Sequence, residues 1–103
     1  MAARIKEHNY FVYITTNKNK TVLYTGVTNN IKNRLYYHEL DINTETKHFT
    51  GRYNVHFLLY WERFQYIQDA IAREKEIKGW VRAKKVRLIQ GFNPDWVFLN
   101  DTL

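Results

Sequence analysis

A glutamate, an arginine, a histidine and two tyrosines stand at positions that hydrophobic patterning reserves for the interior. In QYIQDAIAREKEIKGW, Glu74 lies two helical turns beyond Ile67, on the line that carries Ala70, Ile71, Ile77 and Val81. Glu76, two residues on, falls on the opposite face. In NNIKNRLYYH, Arg34 and His38 are one turn apart, beside a stripe of Ile31, Leu35 and Ile42. Tyr13 and Tyr24 sit near the middle of YFVYITT and TVLYTGV. Polar groups aimed at a core need a partner or a task. A hard carboxylate suits a divalent ion, a guanidinium suits a phosphate, and a phenol or imidazole can move a proton. These are the parts of a metal-assisted phosphodiesterase. A structural reading competes at two of them: Glu74 and Lys78 form an i,i+4 pair, and a lone buried His38 is satisfied by a backbone carbonyl.

Other chemistries are excluded by composition. The chain has no cysteine and no serine, so disulfides, thiolate metal sites and both common nucleophiles are absent. The histidines at 8, 38, 48 and 56 lack zinc-ligand spacing, and no glycine-rich phosphate loop occurs. A formal charge of +6 favours a polyanionic partner. Arg73, Lys75, Lys78, Arg82, Lys84, Lys85 and Arg87 concentrate that charge in one stretch, which is also what an ordinary solvated helix face looks like.

The elements that must position these groups can be read from periodicity. At 103 residues, 45% of them hydrophobic, one domain spanning 1–103 is expected. No apolar run is long enough to cross a bilayer, and the N-terminus lacks a secretory h-region, so a soluble cytoplasmic protein without membrane contact is expected. Residues 10–16 and 21–27 are β-branched and aromatic around NKNK and predict a hairpin. With Lys18 and Asn19 as a two-residue loop, Tyr13 faces Tyr24 and Phe11 faces Gly26. A first helix follows over about 30–40, then a polar loop at 43–54 carrying Lys47 and Arg52. VHFLLYWERF, 55–64, predicts a third strand covered on both faces. A helix then runs to Gly79, a short basic helix is stopped by Gly91 and Pro94, and the tail packs through Trp96 and Leu99. The order β-β-α-β-α-α defines an α+β domain with helices against an antiparallel sheet.

The segments FVY and YTG, ten residues apart, together with NNIKNRLYYH, FLLYWE, AIAREKEIKGW and NPDW, resemble the GIY-YIG nuclease domain over residues 9–96. The chain is similar to the N-terminal nuclease domain of the bacterial excision-repair endonuclease. The resemblance implies a three-stranded antiparallel sheet flanked by helices and a divalent-metal-dependent endonuclease acting on DNA, with Mg2+ or Mn2+ as cofactor and a role in DNA repair or recombination. It implies that Tyr13 is the general base, Tyr24 its hydrogen-bonding partner, and Gly26 the point where backbone and substrate approach closely. It assigns Arg34 to the scissile phosphate, His38 to the site, Glu74 to the metal, and Asn93 to the late asparagine of the family. Phe11, Thr25 and Val27 depart from the family pattern, Val27 replacing a lysine of the repair enzymes. DNA would cross the basic surface, with Gly26, Arg34, Lys78, Arg82, Lys84 and Lys85 as contacts. The alternative reading is a nucleic-acid-binding module of the same fold with weak or no turnover, and behind it a protein-interaction domain.

Overall fold

The computed structural model describes residues 9–35 and 55–103. His38, the second half of the first helix and the 43–54 loop lie outside them. The described elements are strands β1 (Tyr10–Thr16) and β2 (Leu23–Thr28), the opening of helix α1 at 31–35, strand β3 (Phe57–Phe64), helices α2 (Ile67–Lys78) and α3 (Arg82–Phe92), and a closing 3-10 turn (Asn100–Thr102). The predicted α+β order is the observed one. The sheet is antiparallel in the order β2-β1-β3, so the most buried strand is central.

The hairpin register differs from the two-residue loop. Tyr13 pairs with Gly26, Phe11 with Thr28, and Thr15 with Tyr24. The cause is Asn17, whose Oδ1 accepts from the N–H groups of Thr21 (2.8 Å) and Val22 (3.1 Å), while its backbone carbonyl accepts from Lys20 N–H at 2.9 Å. Lys20 takes the left-handed conformation, φ 58°, and the turn spans the whole of 17–22. The slip is an even number of residues, so neither tyrosine changes face.

Alternation sends β1 in two directions. Val12 and Ile14 join Leu59, Tyr60, Ala70, Ile77 and Ile89 in a core under α2 and α3, while Tyr13 joins Ile31, Leu35 and Leu58 on the other face. The third strand is therefore covered on both sides. Its pairing with β1 skips Leu59 between the Ile14–Tyr60 and Thr15–Leu58 pairs. This one-residue bulge interrupts the alternation and lets Leu59 and Tyr60 both enter the α2–α3 core.

The helices correct two expectations. On α2 only Ala70 and Ile77 are fully buried, whereas Ile67 and Ile71 are more than a third exposed and Val81 is largely exposed. Gly79 ends α2 as expected, so Val81 is the residue before α3 and no helical spacing places it. Helix α3 runs through Gly91 and stops at Asn93, where the following Pro94 disfavours helical backbone. The tail packs as expected, Trp96 against the α2–α3 core and Leu99 against the opposite cluster. Among the described residues no helix is long and apolar enough to cross a membrane.

Candidate active site

Gly26 explains how the hairpin makes a site. A β-carbon there would lie 2.5 Å from Cζ of Tyr13 and collide with its hydroxyl, so the phenol ring lies flat across the glycine backbone. Only glycine lets a large ring in the central strand fold over its cross-strand neighbour. Tyr13 is thereby 1% exposed, with its hydroxyl carried toward α1. The Tyr24 ring stands 6.4 Å away, tilted by 44°.

From α1, Arg34 donates from Nε to the Tyr13 hydroxyl at 3.3 Å. Asn30 positions the arginine: its Oδ1 accepts from Asn33 N–H at 3.0 Å as an N-cap, and its carbonyl accepts from Arg34 N–H at 3.0 Å. Burial is the largest influence on Tyr13 and pushes its pKa up to about 12. The bond from Arg34 and its positive charge oppose that push without reversing it. Tyr24 and the negative charge of Glu74 add to it, which brings the glutamate into the same electrostatic neighbourhood. The Arg34 pKa is raised, first by the bond to Tyr13 and further by Tyr24. Tyr13, Tyr24 and Arg34 thus act on one another, and Glu74 acts on Tyr13.

Glu74 lies on the seam of α2 between the buried Ala70 and Ile77, with its side chain 16% exposed. The i,i+4 pair with Lys78 is present at 3.4 Å. Lys78 is half exposed, so water can take up its ammonium when the largely buried carboxylate turns to another cation. Among the described residues no cluster of three or more His, Asp or Glu side chains gathers around a point. A single carboxylate fits a hard ion that keeps most of its waters and completes its shell with substrate phosphate, as Mg2+ does. It does not fit a zinc centre.

The remaining predicted residues are dispersed. Asn93 is buried, and its amide is taken up by backbone: Nδ2 donates to the carbonyls of Leu59 and Val97, and Oδ1 accepts from Val97 N–H. It fastens the bulge of β3 to the tail. Arg82 donates to the carbonyls of Thr21 (3.0 Å) and Lys20 (3.2 Å), bracing the hairpin turn. Lys84 stands over the Trp80 ring at 4.3 Å, and Lys85 is half-buried. Arg73, in the same basic stretch, is bound to Glu62 and Glu76. The stretch is therefore not one uniform free cationic face.

Sequence reasoning missed Trp61. It pairs directly with Tyr13 across the sheet and meets Phe11 edge-on at 5.9 Å. The signal that could have found it is alternation in β3 counted back from Phe64, before the bulge shifts the parity.

The GIY-YIG catalytic domain family matches residues 9–87, a span that holds all four interacting groups. The chain belongs to the GIY-YIG family. That family is one of nucleases. Similar proteins include a UPF0213 protein of Natronomonas pharaonis, 40% identical over 81 residues that make up 79% of this chain and 91% of the relative. A UPF0213 protein of Oceanobacillus iheyensis is 32% identical over 84 residues, 82% of this chain and 93% of the relative. A solution NMR structure of a UPF0213 protein from Bacillus halodurans aligns with a TM-score of 0.49 at 29% identity, covering 80% of this chain and 83% of that one.

Proposed function

We propose that this GIY-YIG protein is a cytoplasmic, divalent-metal-dependent endonuclease that hydrolyses DNA phosphodiester bonds in repair or recombination. The observation that carries the reading is the Arg34 Nε bond to the Tyr13 hydroxyl above Gly26, with Glu74 close enough to influence that phenol. It joins a phosphate-binding group, a proton-handling group and a carboxylate contributed by three separate elements.

Glu74 would hold Mg2+ or Mn2+, which when bound supplies positive charge against the leaving 3′ oxygen. Arg34 neutralises the phosphoryl oxygens, using the N–H groups that its Nε bond to Tyr13 leaves on the rest of the fork. A water oxygen forms the new bond to phosphorus as the bond to the 3′ oxygen breaks. The phenol proton leaves first, to solvent or to an acceptor for which His38 is the candidate, and the water's proton then passes to the ionised Tyr13 oxygen. Tyr24 orients Tyr13 and Arg34. DNA approaches over the exposed cations of the two helices, with Lys78, Arg82 and Lys84 as phosphate contacts beside the half-buried Lys85; Gly26, covered by the Tyr13 ring, supports the site from beneath.

The binding-module reading keeps one specific support. A phenol pushed up to about 12 is a poor base at neutral pH, and Val27 supplies no charge to lower it. Nicking of supercoiled plasmid with Mg2+ or Mn2+, against the same reaction in EDTA, separates the two. Nicking that depends on the metal is expected; DNA binding without nicking would establish the module.

A further inference from the structure

Next to the tyrosine–arginine cluster the same sheet face opens into a cleft of about 310 Å3. Its apolar part is formed by Phe11, Trp61, Ile31 and Leu103, and its polar part includes Asn9, Asn29, Asn30 and Lys32. Phe11 precedes Tyr13 by two residues on the same face of β1, a rise of about 7 Å. Ile31 precedes Arg34 by one helical turn. The cleft is thus roughly one nucleotide step from the groups that would hold the cleaved phosphate.

We infer that this cleft receives an unpaired nucleobase adjacent to the scissile phosphate, so that the protein acts on single-stranded or locally opened nucleic acid. The inference rests on the nuclease reading and names its substrate class. Three observations favour a base over a peptide side chain or a lipid tail. The apolar part holds two aromatic rings, Phe11 against Trp61 at 71°, and flat π faces stack on any base. The charge at the rim is Lys32, no acidic side chain among the described residues lines the cleft, and the chain carries +6, which suits a ligand tied to phosphates. Finally, the Oδ1 atoms of Asn9 and Asn30 are engaged by Arg63 Nε and Asn33 N–H. The amides of Asn9 and Asn30 therefore face a ligand chiefly as donors, which match the carbonyl oxygens on the edges of thymine and guanine, while Asn29 offers both donor and acceptor.

The test is binding in EDTA, where no cleavage occurs, read by anisotropy of a short labelled oligothymidylate and of the same backbone with the bases replaced by abasic spacers. The intact protein should bind oligothymidylate about 10-fold or more tighter than the abasic strand, within the range that base–aromatic stacking commands. Phe11→Leu keeps apolar bulk and removes the π face, and should bring that ratio close to one while affinity for the abasic strand holds. Trp61→Leu should do the same, with thermal melts to show that each variant folds. A ratio near one in the intact protein, or an unchanged ratio in folded Phe11→Leu, would overturn the inference even if plasmid nicking proceeds. A high ratio that falls in Phe11→Leu supports the cleft even if nicking fails, in which event only the nuclease reading is lost.

Discussion

Two tyrosine–arginine–glutamate groupings occupy this small sheet, and they use the same side chains to opposite ends. In the first, Tyr13 on the α1 side of the sheet accepts from Arg34 Nε, and Glu74 of α2 acts on the phenol through its charge. In the second, Tyr60 donates to Glu62, Glu62 accepts from Arg73 Nε at 3.0 Å, and Arg73 also bonds Glu76 while standing 5.1 Å over the Trp80 ring. Burial raises both phenols above the ordinary tyrosine value. At Arg73 burial pulls downward, and the bonds to Glu76 and Glu62 outweigh it. That guanidinium has two carboxylates and a ring, so its charge is neutralised within the protein. Among the described residues no carboxylate pairs with Arg34, and in the proposed reaction its charge meets the substrate phosphate. The lesson is that residue type does not separate a scaffold from a site; the direction of the phenol's hydrogen bond and the balance of charge do.

Substituting both groupings in parallel can break this contrast. The largest effect is expected from Glu74→Gln, an isosteric change that should lower metal-dependent cleavage by about 10³-fold or more without loss of fold, since it removes the carboxylate assigned to the ion. Glu62→Gln should leave the rate within a few-fold and lower the melting temperature instead. Arg34→Lys keeps a charge but loses the planar fork and should cost about 10²- to 10³-fold in rate with DNA affinity little changed. Arg73→Lys should act on stability alone. Equal loss of rate in both groupings would end the distinction.

The pH profile gives a smaller, signed effect. Because Tyr13 is held near 12, it is protonated throughout the neutral range, and its ionised fraction rises about tenfold per pH unit there. The single-turnover rate should climb from pH 6.5 to 9 with no plateau set by this group, and Tyr13→Phe should flatten the climb. A plateau near pH 7 shared by both proteins would assign the proton to another residue. The smallest effect is expected from Lys84→Ala with Lys85→Ala. The slope of log affinity against log salt should flatten by roughly one unit for each phosphate that these lysines neutralise in the intact protein. An unchanged slope would route the DNA away from α3.

Most of the arrangement was legible in the sequence because two periodicities carry it. Tyr13 and Tyr24 shared a face under either hairpin register, since the error of two residues preserves parity. Glu74 stood out because a charge fell on the seam between Ala70 and Ile77. What periodicity could not reveal was long-range hydrogen bonding. The widened turn depends on one side chain, Asn17, closing on backbone four and five residues away. The capture of Asn93 by the Leu59 carbonyl depends on a bulge that alternation alone does not predict. Arg73 and Arg82 read as free cations in a basic run and are committed to Glu62 and to the hairpin turn, contacts made 11 and more than 60 residues apart.

The most direct test is single-turnover cleavage of DNA by Tyr13→Phe beside Tyr60→Phe, with saturating enzyme and Mg2+, each variant checked by thermal melting. Removing the Tyr13 hydroxyl should lower the rate by about 10²-fold, the usual size of a general-base contribution, with affinity preserved. Removing the Tyr60 hydroxyl should leave the rate intact and destabilise the fold by about 1 kcal/mol through its bond to Glu62. A folded Tyr13→Phe protein that cleaves at the wild-type rate would contradict the account.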